Sequence, residues 1–140
     1  MATYNKFEQF VEDKNHGVHD MSSDQLVVAL TAAANAPVAT NAVLADLTEI
    51  SYTNCSSRNI TTSSSAETSG TYKLTLTDLV LTASGGTVGP LRYVVIYNDT
   101  PTSPADPLIA WYDYGSEITL ADGETLTIDF DGTNGFYTDT

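Results

Sequence analysis

Cysteine and positive charge are what this chain has least of. Cys55 stands alone, so no intrachain disulfide can form, and the small secreted domains that rely on disulfides are excluded. Lysine and arginine together number five against eighteen aspartates and glutamates, a net charge of −13. Direct binding of DNA or RNA, which depends on basic side chains displacing counterions from phosphates, is excluded on that balance. Anionic membrane surfaces are disfavoured for the same reason, and no stretch approaches the ~18 uninterrupted apolar residues of a membrane span. The first residues lack a basic segment followed by an apolar run, so no signal peptide is expected. Charged residues of both signs make up only 16 % of the chain, against about 25 % in ordinary domains. The surface must therefore be polar without being charged, and 21 threonines and 12 serines supply it. With 140 residues, one domain can bury a real core without metals or cross-links.

Read for periodicity, the chain is nearly all strand. One helix is predicted over residues 4–14, where Tyr4, Phe7, Phe10 and Val11 recur at helical spacing between Lys6, Glu8, Glu12 and Asp13. So short a helix is marginal alone, and its aromatic stripe must pack on its own domain or on another subunit. Residues 1–20 thus read as an N-terminal helical arm, and 21–140 as a β-sandwich domain. Alternation predicts strands at 24–31 and at 43–47, with a loop between them around Pro37. Residues 51–70, rich in serine and threonine, allow a strand at best around 57–62 and then a mobile loop. Tyr72, Leu74 and Leu76 share a face, but Leu79 and Leu81 continue on the other parity. That slip predicts a bulge or bend at Thr77–Asp78. The glycine-rich 85–90 reads as a connection, not a phosphate loop, because no Lys-Ser/Thr pair or helix follows. Strands are expected at 93–97 and 108–112, separated by a loop carrying Pro101, Pro104 and Pro107. A hairpin is expected about Asp122-Gly123, with Leu126, Ile128 and Phe130 facing inward. The sum is an all-β, single-domain antiparallel β-sandwich, or a barrel-like relative of one, with a short N-terminal helix.

No residue set suggests catalysis, and no cofactor or metal is expected. His16 and His19 are the only histidines; Gly17 interrupts the helix that would align them, and no third ligand stands at a diagnostic spacing. Asp129-Phe130-Asp131-Gly132 faintly echoes a calcium loop, but no bidentate glutamate follows, and a turn closing a strand explains it as well. Cys55 has no histidine near it in sequence, and no Gly-x-Ser-x-Gly elbow exists. What remains is aromatic. Trp111, Tyr112 and Tyr114, together with Tyr4, Phe7, Phe10 and Val11, are the candidate interface residues, since such side chains fill interfaces or stack on sugars when they are not ordinary core.

Several segments resemble small structural proteins encoded in the head-gene regions of tailed bacteriophages and prophages. They are Ala2–Phe7, Ala36–Asn41 with Val43–Ile50, Ser69–Leu74, Leu81–Gly86, Arg92–Pro107, Leu108–Gly115 and Leu120–Glu124, and together they span nearly the whole chain. These motifs specify turns and strands, not an activity. The resemblance implies a virion protein, a capsid decoration (cement) protein on the outer surface of the head and in the host cytoplasm during assembly. Its partners would be the major capsid protein and other copies of itself, a trimer being suited to the quasi-three-fold positions of shells. Other virion parts (tail tube, head–tail connector, fibre) and a carbohydrate-binding β-sandwich module are the alternatives.

Overall fold

A computed structural model describes residues 2–140. The fold is all-β and sandwich-like, built from antiparallel sheets with one short helix. The largest sheet is fixed by two segments that are buried at every position and apolar at all but their last residues, Thr31 and Asn98. β2 (Leu26–Thr31) is buried along its whole length, and so is the last part of β6 (Val88–Asn98). Such strands are stable only with both sheet faces covered. They pair directly, Val28 opposite Ile96 and Ala29 opposite Val95. β7 (Leu108–Leu120) adds to β6 on the other side, and β1 (Asn5–Lys6) closes that edge, giving the order β1-β7-β6-β2.

Two cores follow from this one sheet. Leu26, Val28, Leu30, Val94 and Ile96 point into the larger core. It is closed by a three-stranded sheet of β3 (Thr62–Thr68), β4 (Thr71–Leu76) and β9 (Tyr137–Asp139), and by the pair β5 (Leu79–Thr82) and β8 (Thr125–Ile128). Val27, Ala29, Val95, Tyr97 and Leu108 point the other way into a smaller core, covered by Leu44, Leu47 and Trp111.

The N-terminal segment departs from its periodicity. The helix, α1, is confined to Gln9–Asn15, because residues 5–7 are drawn out as strand along β7. Asn5 and Lys6 pair with Trp111 and Ala110, and the Phe7 amide donates to the Ile109 carbonyl at 3.1 Å. A free ladder on β7 overrides helical spacing there, since each pairing satisfies backbone groups that would otherwise face an apolar edge. Phe7 then enters the smaller core against Trp111, ring centroids 4.6 Å apart, while Phe10 enters the larger core. Residues 1–20 therefore do not form an arm separate from a sandwich starting at 21; the segment clips the sheet edge with one ring in each core.

Three other expectations are corrected, and the bend expected at Thr77–Asp78 is present. Residues 43–47 are not a strand: a 3-10 turn spans Leu44–Asp46, because the Asp46 carboxylate accepts the Ala42 and Val43 amides at 2.8 and 3.2 Å, local bonds that outcompete a sheet ladder. The Ser/Thr-rich segment is β3, not a mobile loop. It is specified by its turn, Ser69-Gly70, whose φ angles of 52° and 84° match the two-residue turns that suit hairpin twist. The expected bend at Thr77–Asp78 is a change of sheet, from β4 to β5, held by the Phe130 amide donating to Asp78 Oδ1 at 2.8 Å. The Asp122-Gly123 turn forms, yet its strands part: β7 stays with β6, and β8 pairs with β5.

Phe10→Ala should lower unfolding free energy by about 3–5 kcal/mol. Val11→Ser, on the exposed side of the same helix, should change it by less than about 0.5 kcal/mol. Urea melts of the two variants check this, and comparable losses would contradict the placement.

Candidate interface surfaces

The seven aromatic and apolar candidates do not form one patch. Phe7 and Phe10 are fully buried and offer nothing to a partner. Trp111 is half-buried over the smaller core. Tyr4 is half-buried, its ring edge-on to Tyr112 and Phe136 at 6.1 and 5.4 Å. Tyr112 sits on the opposite face of β7 from Trp111, against the larger core. Only Val11, 42 % exposed, and Tyr114, 52 % exposed, are surface residues, and they lie on different elements.

Tyr112 and Tyr114 do share a feature that sequence reasoning missed. Together with Ala2, Val94, Leu126, Thr127, Ile128 and Asp129 they line an apolar groove of about 430 Å³ between β7 and β8. Burial, aided by the nearby Asp131 charge, pushes the Tyr112 hydroxyl up to about 12. A sequence signal for the electrostatics of this region exists: from Tyr93 to Thr140 there are nine acids and no lysine, arginine or histidine. Arg92, just before it, is held by a two-point contact with Asp113 at 2.9 and 3.1 Å.

The remaining chemistry-bearing residues are dispersed over the fold. Among the described residues no three His, Cys, Asp or Glu side chains converge as metal ligands. Asp131 closes its own turn, accepting the Thr133 and Asn134 amides at 2.9 and 2.8 Å. Burial raises the Cys55 thiol, which disfavours the thiolate. His16 and His19 are not a pair. His16 caps α1, whereas His19 lies edge-on to Phe10 at 5.2 Å and meets Asn98 Nδ2 at 3.0 Å. Asn98 also donates to Asp24 at 2.7 Å and accepts the Thr100 amide. Those contacts fix its amide, so His19 Nδ1 is an acceptor and the neutral ring carries its proton on Nε2.

A second open surface is the outer edge of β3. Its residues are mostly exposed serine and threonine, and no backbone partner lies beyond it among the described residues. No helix of the described residues is long and apolar enough to cross a membrane. Comparison with protein-family models, with curated proteins and with solved structures finds no match to this chain.

The buried ring and hydroxyls set a pH window for stability. Burial holds His19 below its ordinary 6.5, against the pull of Asp13 and Asp24. The unfolded chain therefore takes up a proton first as pH falls, and stability present above about 6.5 is lost below it. Tyr112, raised from 10.0 to about 12, contributes stability that is complete below 10 and lost as pH rises towards 12. Burial raises Tyr4, Tyr52, Tyr97 and Tyr137 as well, steepening that limb. Thermal melts should show a plateau between about pH 7 and 10 with falls on both sides, and His19→Gln should flatten the acidic fall. A profile without an acidic fall in the native protein would contradict the assignment.

Proposed function

We propose that this protein is a bacteriophage virion structural component, a capsid decoration protein that binds the outer surface of the head and slows separation of its subunits. The segments that resemble phage head-region proteins support the family. The observation that carries the role is the contrast between inside and outside. Nearly every large apolar side chain is taken up by the two cores, and the large apolar residues left exposed are Val11, Val38, Val80 and Tyr114, scattered over four segments. The outside is rich in small hydroxyls on exposed strands, such as Thr62–Thr68. Such a surface meets neighbours over broad areas with a modest desolvation cost per group. Each contact is weak, and many copies on one lattice, or a trimer at each site, multiply it through avidity.

The role is passive and needs no cofactor. The partner is the major capsid protein, met at subunit junctions. Nucleic acid is an unsuitable partner for a surface this acidic, and attachment relies on protein contact, not on a membrane. The aromatic stripe of the N-terminal segment, spent inside the fold, is not the anchor.

Electron cryo-microscopy of assembled particles tests the reading. Copies spread over the whole shell in register with its lattice are expected. Copies confined to the tail axis or portal would instead assign a tube or connector role, and mature particles that lack the protein would overturn the virion assignment.

A further inference from the structure

The groove between β7 and β8 has a property that a mere surface dent does not share: one wall is a strand edge without a partner. The Ala83 amide donates to the Glu124 carbonyl at 3.0 Å, and the Gly123 amide to the Ala83 carbonyl at 2.8 Å. With Leu81 opposite Leu126 and Leu79 opposite Ile128, the alternation of an antiparallel ladder turns the amides and carbonyls of Leu126 and Ile128 towards β5. Those of Thr125 and Thr127 then point away from it. On the β5 side, the equivalent outward groups of Thr82 are occupied, its carbonyl by the Ser56 amide at 3.0 Å and its amide by Ser56 Oγ at 2.8 Å. On the β8 side, Thr125 and Thr127 meet no backbone or side-chain partner among the described residues.

The space beside that edge suits a strand. Its lining is apolar at Val94, Leu126 and Ile128, flanked by Tyr112 and Tyr114. An added segment would bond to Thr125 and Thr127 through its backbone and place alternate small apolar side chains inward. The charge around the groove selects among such segments. Asp129 lines it, the Asp131 charge acts on Tyr112, and Arg92 is matched by Asp113. Asp129 is the one charged residue of the lining and no base stands there, so a second copy of a chain with net charge −13 suits it less well than a cationic segment.

We propose that this groove receives an extended, lysine- or arginine-bearing segment of a partner protein, added as a strand along Thr125–Thr127. The inference goes beyond the capsid role and does not depend on it. β7, whose pairing with β1 ends at Trp111, is the less regular edge there. Its pairing with β6 jumps from Asp113 to Ile118, and the intervening residues bulge around the Gly115 amide, which donates to Asp113 Oδ1 at 2.8 Å. Such irregularity protects an edge from pairing.

The test uses the isolated protein, labelled for NMR. The probe is a pool of synthetic heptapeptides with lysine or arginine at odd positions and alanine, valine or threonine at even ones. A matched pool carries aspartate or glutamate at the odd positions. The basic pool should bind at least about tenfold more tightly than the acidic one, and the difference should shrink as salt rises from about 0.02 M to 0.5 M. Binding should slow hydrogen exchange at the Thr125 and Thr127 amides, which exchange fast in the free protein while those of Leu126 and Ile128 are protected. Thr127→Pro removes only an outward-facing amide and should weaken binding about tenfold or more. Tyr114→Ala, an exposed substitution that tests the groove if the proline variant is unstable, should weaken it severalfold, whereas Ser65→Pro on the open β3 edge should leave it unchanged. Protection of Thr125 and Thr127 in the free protein, shifts centred on β3, or no saturable binding of the basic pool would overturn the proposal.

Discussion

A sheet apolar on both faces is the constraint from which the rest follows. β2 and the end of β6 carry large apolar groups on both parities, so neither face of their sheet can meet water. One face is closed by two smaller sheets and the other by the loop carrying Leu44 and Leu47. The exposed edge beside β7 is closed by the N-terminal segment, with Phe7 on one side and Phe10 on the other. Burying side chains of that size stabilises by roughly 1.5–3 kcal/mol each, more than the weak helical preference of residues 4–8 can oppose.

The character of the exterior is the complement of that interior. With apolar groups committed to two cores, the outer strands are left to serine and threonine, which pleat well and carry no charge. Four of the five basic side chains are spent locally: Lys14 on Asp139 at 2.9 Å, Lys73 on the Thr133 carbonyl at 3.0 Å, Arg92 on Asp113, and Arg58 stacked on Tyr52 at 3.6 Å while donating to the Val28 carbonyl. What a partner meets is therefore hydroxyls and uncompensated carboxylates. The proposed lattice-binding role rests on that surface, and the proposed cationic segment on the β7–β8 groove.

Legibility in the sequence followed the strength of each local signal. The alternation of Leu126, Ile128 and Phe130 marked an inward face, and all three are half or fully buried as it required. β2 was legible because Leu26, Val28 and Leu30 alternate with Gln25, Val27 and Ala29. Leu44–Asp46 was not, because the Asp46 carboxylate binding two preceding amides leaves no mark on hydrophobic periodicity. β3 was hidden for the opposite reason: it has almost no apolar residues, and its only announcement is the Ser69-Gly70 turn. The groove was invisible because it arises from a non-local choice. β8 leaves β7 at a turn that ordinarily joins neighbours, and pairing preference between distant strands is not encoded in spacing. Trp111, Tyr112 and Tyr114 stand together in the sequence, but only the sheet shows that Tyr112 and Tyr114 face the groove and Trp111 does not.

The doubly buried sheet depends on the N-terminal segment for its closure. Native-state hydrogen exchange across a urea series tests this at the Phe7 amide, which is bonded to the Ile109 carbonyl. The account predicts that Phe7 exchanges only through global unfolding, with the same free energy and denaturant dependence as Val28 and Val95. Exchange of Phe7 through a low-energy opening insensitive to urea, while β2 and β6 stay closed, would contradict it.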